Sequence, residues 1–206
     1  MITIWGRTNS LNVQKVLWLM EELSLSYERI DAGLTYGVND TAAFKAMNPN
    51  GLVPVLKEDE FILWESHAIL RYLASRHGRN ALWPEDERIR AISDQWLDWC
   101  STTVWPNMRP VFQNLVRIPA DQRDHQALAA GIKSVAENFL MLNDALQNRD
   151  YITGETFTIA DISLTLLAYR WHSLVDDRPQ TPAVDVWFER VTVREGYRKH
   201  CSAPLT

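Results

Sequence analysis

From Asn12 to Leu23 the chain places Val13, Val16, Leu17, Met20 and Leu23 at helical spacing, which predicts an amphipathic helix ending near Ser24. On either side of it, ITIW (2–5) and YERID (27–31) read as short strands, so the chain opens with a βαβ unit whose crossover must be right-handed. A polar, glycine-containing loop over 31–40 leads to a short helix about Ala42–Ala46. LVPVL (52–56) and FILW (61–64) follow as two strands divided by Lys57-Glu58-Asp59-Glu60, close enough for a hairpin. A further helix, from Ser66 to about Arg76, carries Ile69, Leu70 and Leu73 on one face. The order is βαβ, then α, then ββα.

Beyond residue 77 the pattern changes. Ile92, Trp96, Trp99 and Thr103 line one face at helical spacing, and Ile132, Val135, Phe139, Leu142 and Leu146 recur in steps of three and four. No strand pattern appears there. Pro106 and Pro110 fall within or beside the first of these helices, and a kink or interruption is expected because proline has no N–H for the preceding turn. The organisation expected is an α/β domain over 1–77, a linker over 78–87 marked by Gly78, Pro84 and clustered charges, and an all-α domain over 88–206.

Composition narrows the partners. The 206 residues, 46% apolar and 23% charged, have an ordinary globular make-up, with room for one large or two small domains. A net charge of −5 withholds the attraction on which nucleic-acid binding rests, so no nucleic-acid partner is expected. The opening MITIWGRTNS lacks the basic start and apolar run of a signal peptide. No apolar run approaches the roughly 20 residues of a membrane span. A cytoplasmic location without a membrane partner is the expectation. Cys100 and Cys201 lie outside any CxxC pattern and read as two reduced, structurally incidental thiols. The histidines, at 67, 77, 125, 172 and 200, show no HxH or HExxH spacing, so no metal site is expected.

One helix start is written plainly. In FTIADI (157–162), Thr158 as N-cap with Asp161 three residues on forms an acidic capping box, and Phe157 against Ile162 supplies the hydrophobic staple. Asp161 therefore reads as a folding residue and not as a catalyst.

The chemistry gathers in the first half. NPNGLVPVL (48–56) puts Pro54 inside a strand pattern, where it has no N–H for a ladder and marks an edge, a bulge or a turn. With a cis Val53–Pro54 bond, the Val53 N–H and C=O can face outwards and pair with an extended, peptide-like ligand. WESHAIL then sets Glu65 and Ser66 before an apolar helix. Ser66 as a plain N-cap is the simpler reading. The functional one has the helix N-terminus and the Ser66 hydroxyl receive a carboxylate while Glu65 accepts an ammonium. A zwitterionic end at Glu65–Ser66 and a peptide backbone at Val53 together describe γ-glutamyl-cysteinyl-glycine.

The run NPNGLVPVL, the ESHAIL run about eleven residues later and the distal FTIAD box together resemble the cytosolic glutathione transferases over essentially the whole chain. GRTNSLNVQKVLWLMEEL further resembles the bacterial theta-like and nu-like branches, which use hydroxyl or amide donors at the thiol. The resemblance implies an N-terminal thioredoxin-like domain followed by an all-helical domain, with glutathione as co-substrate. By position it implies Val53, beside Pro54, on the cysteinyl backbone, Glu65 and Ser66 on the γ-glutamyl end, and Asn39 on the glycyl end. It sets Ser10 at the theta-type serine and Asn12 at the nu-like asparagine, leaving open which is the main donor to sulfur. Tyr36 lies in the loop after the second strand and does not match the family's N-terminal tyrosine.

The family's second substrate sits between the two domains, which points to Trp105, Arg109 and Phe112, spaced by four and three, and to Trp171 as pocket walls. Core packing of these aromatics is an equal alternative. The activity implied is glutathione addition to small electrophiles, halogenated ones included, in detoxification, by a homodimer. A glutathione-dependent disulfide reductase or peroxidase, or a non-catalytic binding module, are the alternatives. The first half has no cysteine, so glutathione itself must bring the nucleophile.

Overall fold

The computed structural model describes residues 1–78 and 82–206, so the expected linker over 78–87 falls in part, at 79–81, outside the described residues. The chain packs as two compact units, Met1–Arg79 with Glu195–Ala203, and Asn80–Arg194 with Pro204–Thr206.

The first unit is built on β1 (Ile2–Trp5), α1 (Leu11–Glu22), β2 (Tyr27–Ile30), α2 (Ala42–Met47), β3 (Val55–Glu58), β4 (Phe61–Trp64) and α3 (Ser66–His77). The strands form one sheet in the order β2-β1-β3-β4. β1 pairs in parallel with β2 and antiparallel with β3, and β3 pairs antiparallel with β4. This is the βαβ–α–ββα order expected from the pattern. The strand read as LVPVL begins only at Val55: Pro54, with no N–H to give, stays outside the ladder, and the freed register runs on through Lys57 and Glu58. The hairpin turn is thus Asp59-Glu60 alone.

α1 packs on α3, and Val13, Val16, Leu17 and Met20 of α1, Ile69, Leu70 and Leu73 of α3 and Ile2, Ile4 and Leu56 of the sheet are all buried, while Val55 packs in a second cluster with Ala32 and Phe44. The other face of α1 is closed by the last helix, α9 (Glu195–His200). Trp18 meets Tyr197 edge to face at 5.5 Å, and a Cβ on Gly196 would lie 2.3 Å from the Trp18 ring, so only glycine allows this approach. Lys199 Nζ donates to Glu21 at 2.7 Å, and this bond holds the Glu21 carboxyl below its ordinary pKa.

The second unit holds α4 (Glu87–Trp99), α5 (Trp105–Phe112), α6 (His125–Leu146), α7 (Ile159–Leu174) and α8 (Pro182–Thr192). Asp86 caps α4 through the Arg88 N–H at 2.8 Å. The prolines do not break the first helical path. Cys100–Val104 and Gln113–Arg117 are wide π turns, in which Trp105 N–H reaches the Cys100 carbonyl and Ile118 N–H reaches that of Gln113. The first wide turn comes just before Pro106, where the ladder loses an N–H, while Pro110 sits inside α5. The buried face of this path is Ser93, Trp96, Leu97, Cys100 and Val104, one position off the expected stripe, and Ile92 is exposed. On α6 four of the five expected positions hold: Val135, Phe139, Leu142 and Leu146 are buried, and Ile132 is half-buried.

Asp161 is the hub of this unit. Its Oδ2 accepts from Thr158 N–H at 2.9 Å and Thr158 Oγ1 at 3.2 Å, and its Oδ1 from Ile152 N–H at 3.0 Å and Trp187 Nε1 at 2.9 Å. The capping box is present as expected, and the carboxylate also ties α7 to α8 and to the preceding turn. Burial raises its pKa above the ordinary aspartate value while the four donors pull it down.

Candidate functional site

The loop from β1 to α1 delivers Ser10 to the N-cap of α1, where its carbonyl accepts the first helical bond from Gln14 N–H at 2.8 Å. Its hydroxyl caps nothing, although the residue is buried. The backbone is capped by position alone, and the hydroxyl is left for other use. Asn12 lies in the first turn of the helix, its Oδ1 accepting from Lys15 Nζ at 3.1 Å and from Ser66 Oγ at 3.3 Å.

The NPNG turn is held from within. Asn48, buried, donates from Nδ2 to the Leu52 carbonyl at 2.8 Å and accepts Asn50 N–H at 3.1 Å. Asn39 Nδ2 donates to the Gly51 carbonyl at 2.7 Å, so this amide, expected at the glycyl end of a ligand, braces the turn. Beyond the turn the Val53–Pro54 bond is cis. Val53 lies outside the ladder of β3, and its backbone N–H and C=O bond to nothing among the described residues.

Glu65 and Ser66 exchange the roles of the simpler reading. Glu65 is the N-cap of α3 and Ser66 its first helical residue. Glu65 is exposed and holds φ 72, ψ 115, a sparsely populated backbone region outside helix and sheet. Such a conformation carries a cost and concentrates where a ligand needs it. Ser66 is buried, and its bond to Asn12 joins the first turn of α3 to the first turn of α1. Two helix N-termini, each with unpaired N–H groups and a partial positive charge, therefore meet beside the free backbone of Val53. Such a site favours two anionic groups and one extended backbone.

Two residues of this cluster were not foreseen. Lys15 and His67 are both buried, and Lys15 Nζ lies 3.0 Å from His67 Nε2. The signal for Lys15 was its place three residues after Asn12, on the same helix face. Its burial depends on α3, which the sequence around it does not reveal.

On the second unit, Trp105 and Phe112 are half-buried and Arg109 is exposed along α5. The guanidinium groups of Arg117 and Arg170 lie 5.6 and 5.5 Å from the Phe112 ring. Trp171, expected as a pocket wall, is fully buried and stacks on Phe139 at 5.5 Å. It is core, because α7 is enclosed on nearly every side. Tyr36 is 54% exposed in the turn Leu34–Tyr36.

A thioredoxin-like sheet with paired helix N-termini and a cis-proline turn, joined in one chain to a helical unit, defines a class of glutathione-binding proteins. The comparisons agree. Residues 1–75 match the family described as "Glutathione S-transferase, N-terminal domain", and residues 103–195 match "Glutathione S-transferase, C-terminal domain". The chain is 40% identical over 208 residues to glutathione S-transferase GstB of Escherichia coli, covering 100% of both chains. It is 30% identical to glutathione S-transferase 1 of Manduca sexta, covering 96% of this chain and 91% of that one. The crystal structure of the theta class glutathione S-transferase from Xanthomonas axonopodis pv. citri, with glutathione bound, superposes with a TM-score of 0.95 at 40% identity, over 100% of this chain and 99% of that one. The chain belongs to the glutathione S-transferase family. Among the described residues no helix is long and apolar enough to cross a membrane, and no group of three or more His, Cys, Asp or Glu is placed to hold a metal.

Proposed function

We propose that this glutathione transferase binds glutathione on its first unit, lowers the pKa of the thiol and directs the thiolate at a small electrophile. The observation that carries the reading is the Ser66–Asn12 bond, which sets the N-terminus of α3 against that of α1. The γ-glutamyl carboxylate takes the α3 N-terminus and the Ser66 hydroxyl, and Glu65 takes the ammonium. The cysteinyl backbone pairs with Val53 beside Pro54, and Asn39 holds the turn that presents Val53. The sulfur then comes to Ser10 and Asn12.

A free thiol has a pKa near 8.5, so lowering it by about two units requires roughly 2.7 kcal/mol of preference for the anion. A hydrogen bond to charged sulfur supplies about 1.5–3 kcal/mol, and a helix N-terminus about 0.3–1 kcal/mol. Together they suffice without a base. The thiol proton leaves to solvent, sulfur forms the new bond, and the electrophile's leaving group, where it has one, departs with its electron pair.

Trp105, Arg109 and Phe112 on α5 offer an aromatic surface with one cation, suited to a small apolar electrophile that bears an acid group. Trp171 has no part in it. A cytoplasmic homodimer belongs to the same proposal. It is supported by Cys100 and Cys201, which form no disulfide, and by the exposed Phe61, Ile62 and Trp64 along the edge strand β4. A turnover screen of glutathione with aryl halides, haloacids, epoxides, peroxides and mixed disulfides tests the reading. Conjugation supports it; turnover of peroxides or disulfides alone selects the reductase alternative, and no glutathione affinity at all overturns it.

A further inference from the structure

The pair of buried cationic and imidazole side chains behind Asn12 has no part in the chemistry above. Lys15 Nζ donates to Asn12 Oδ1 at 3.1 Å and lies 3.0 Å from His67 Nε2, so the carbonyl oxygen of the Asn12 amide is the atom turned to Lys15. Lys15, 4% exposed, cannot swing out to water without unpacking α1 from α3. The Asn12 amide is thus oriented by a buried donor. Its Nδ2 points away from Lys15 and donates to nothing among the described residues.

The Ser66 bond cannot do this work when ligand is present. Ser66 has one hydroxyl proton, and a carboxylate at the α3 N-terminus competes for it. Once Ser66 turns to the ligand, Lys15 is the remaining donor on Asn12 Oδ1 among the described residues.

We propose that Lys15, seated against His67, is a positioning residue that locks the Asn12 carboxamide with its NH₂ group toward the glutathione sulfur. The inference rests on the reading of Asn12 as a thiol donor. With the amide free to flip, its oxygen would face the sulfur for part of the time and oppose the thiolate. Asn12 therefore acts as a reliable donor only while Lys15 is in place.

The test is a cycle of four proteins, the parent, Asn12→Ala, Lys15→Met and the double variant, with the pKa of the bound thiol titrated by its thiolate ultraviolet absorbance. The expected result is that each single change raises the thiol pKa by about one unit, a ten-fold loss of thiolate at a fixed pH below it, and that the double variant adds no more. Lys15→Gln, which drops the charge but keeps an N–H donor, should restore a value close to the parent's. If Asn12→Ala shifts the pKa and Lys15→Met does not, the inference fails while the donor reading stands. Additive shifts would mean that Lys15 acts by charge alone and would overturn it too. If Asn12→Ala has no effect, the donor reading falls and takes the inference with it. Should Lys15→Met not fold, the Asn12 side-chain amide signals of the parent and of Lys15→Gln, assigned by their loss in Asn12→Ala, are followed instead. They should move as the bound thiol ionises in both proteins, and signals indifferent to that ionisation overturn the proposal.

Discussion

Replacing Asp161 by alanine removes one carboxylate and strands three N–H donors, those of Ile152, Thr158 and the Trp187 indole, in a place where Asp161 itself has no exposed surface. A buried donor left without a partner costs about 1–3 kcal/mol, so three of them come to at least about 3 kcal/mol. A lone N-cap is worth roughly 1 kcal/mol, so the larger figure measures what the carboxylate does beyond capping. Against a total stability of about 5–15 kcal/mol this is a large loss. Urea unfolding of the parent, Asp161→Ala and Asp161→Asn gives the values directly. The asparagine variant, with one oxygen still accepting, should fall between the other two. Glutathione affinity of the folded fraction should be unchanged, because every partner of the carboxylate belongs to the helical unit. A loss for the alanine variant below about 1 kcal/mol would show that the donors find water and that the hub is no more than a cap. Full stability with abolished turnover would move Asp161 from folding to chemistry.

Glu65→Gln removes the countercharge for the ligand ammonium and should weaken glutathione binding by about 1.5–3 kcal/mol by calorimetry; equal affinity in both proteins would refute the assignment. Ser10→Ala should raise the bound-thiol pKa by at least about one unit if its hydroxyl is the main donor. Because that hydroxyl makes no cap bond, thermal stability should stay within about 0.5 kcal/mol of the parent. Burial first, and then Arg178, lower the His172 pKa below 6.5, with Asp185 opposing. A group depressed on folding contributes stability that is present above its unfolded value and lost as pH falls through the folded one. Stability should therefore drop as the pH falls from the ordinary imidazole value of 6.5 toward the lower folded one, and His172→Gln should flatten that drop in urea titrations.

Where local spacing decides the structure, the sequence was legible. Val13, Val16 and Met20 marked α1 by their period alone, and Thr158 with Asp161 marked the start of α7. The local backbone of the candidate site was legible for a related reason: the cis Val53–Pro54 bond and the start of α3 at Glu65–Ser66 depend on neighbours in sequence. What lay hidden depends on distant partners or on small changes of phase. Ile92 was misplaced because the residue beside it that takes the buried position, Ser93, gives no apolar signal; the wide turn at Cys100–Val104 comes only after α4 and shifts the phase further along. Trp171 looked like a pocket wall because an aromatic residue near a helix end reads the same in a core as on a surface. Lys15 looked like a solvated charge, since only the packing of α3 encloses it. Asn39 is subtler, for its bond to the Gly51 carbonyl spans twelve residues and braces the turn, a role that local spacing does not reveal.

The docking of α9 on α1 has a consequence for the order of events at the ribosome. Residues 1–79 emerge first, and domains that can fold alone commonly do so as they leave the tunnel. This one cannot finish. The face of α1 that carries Trp18 waits for Gly196 and Tyr197, which are translated after the whole helical unit. Until then a nascent chain holds an open apolar groove, and a stop codon anywhere before residue 195 would leave it open for good. The first unit is first in sequence and last to be completed.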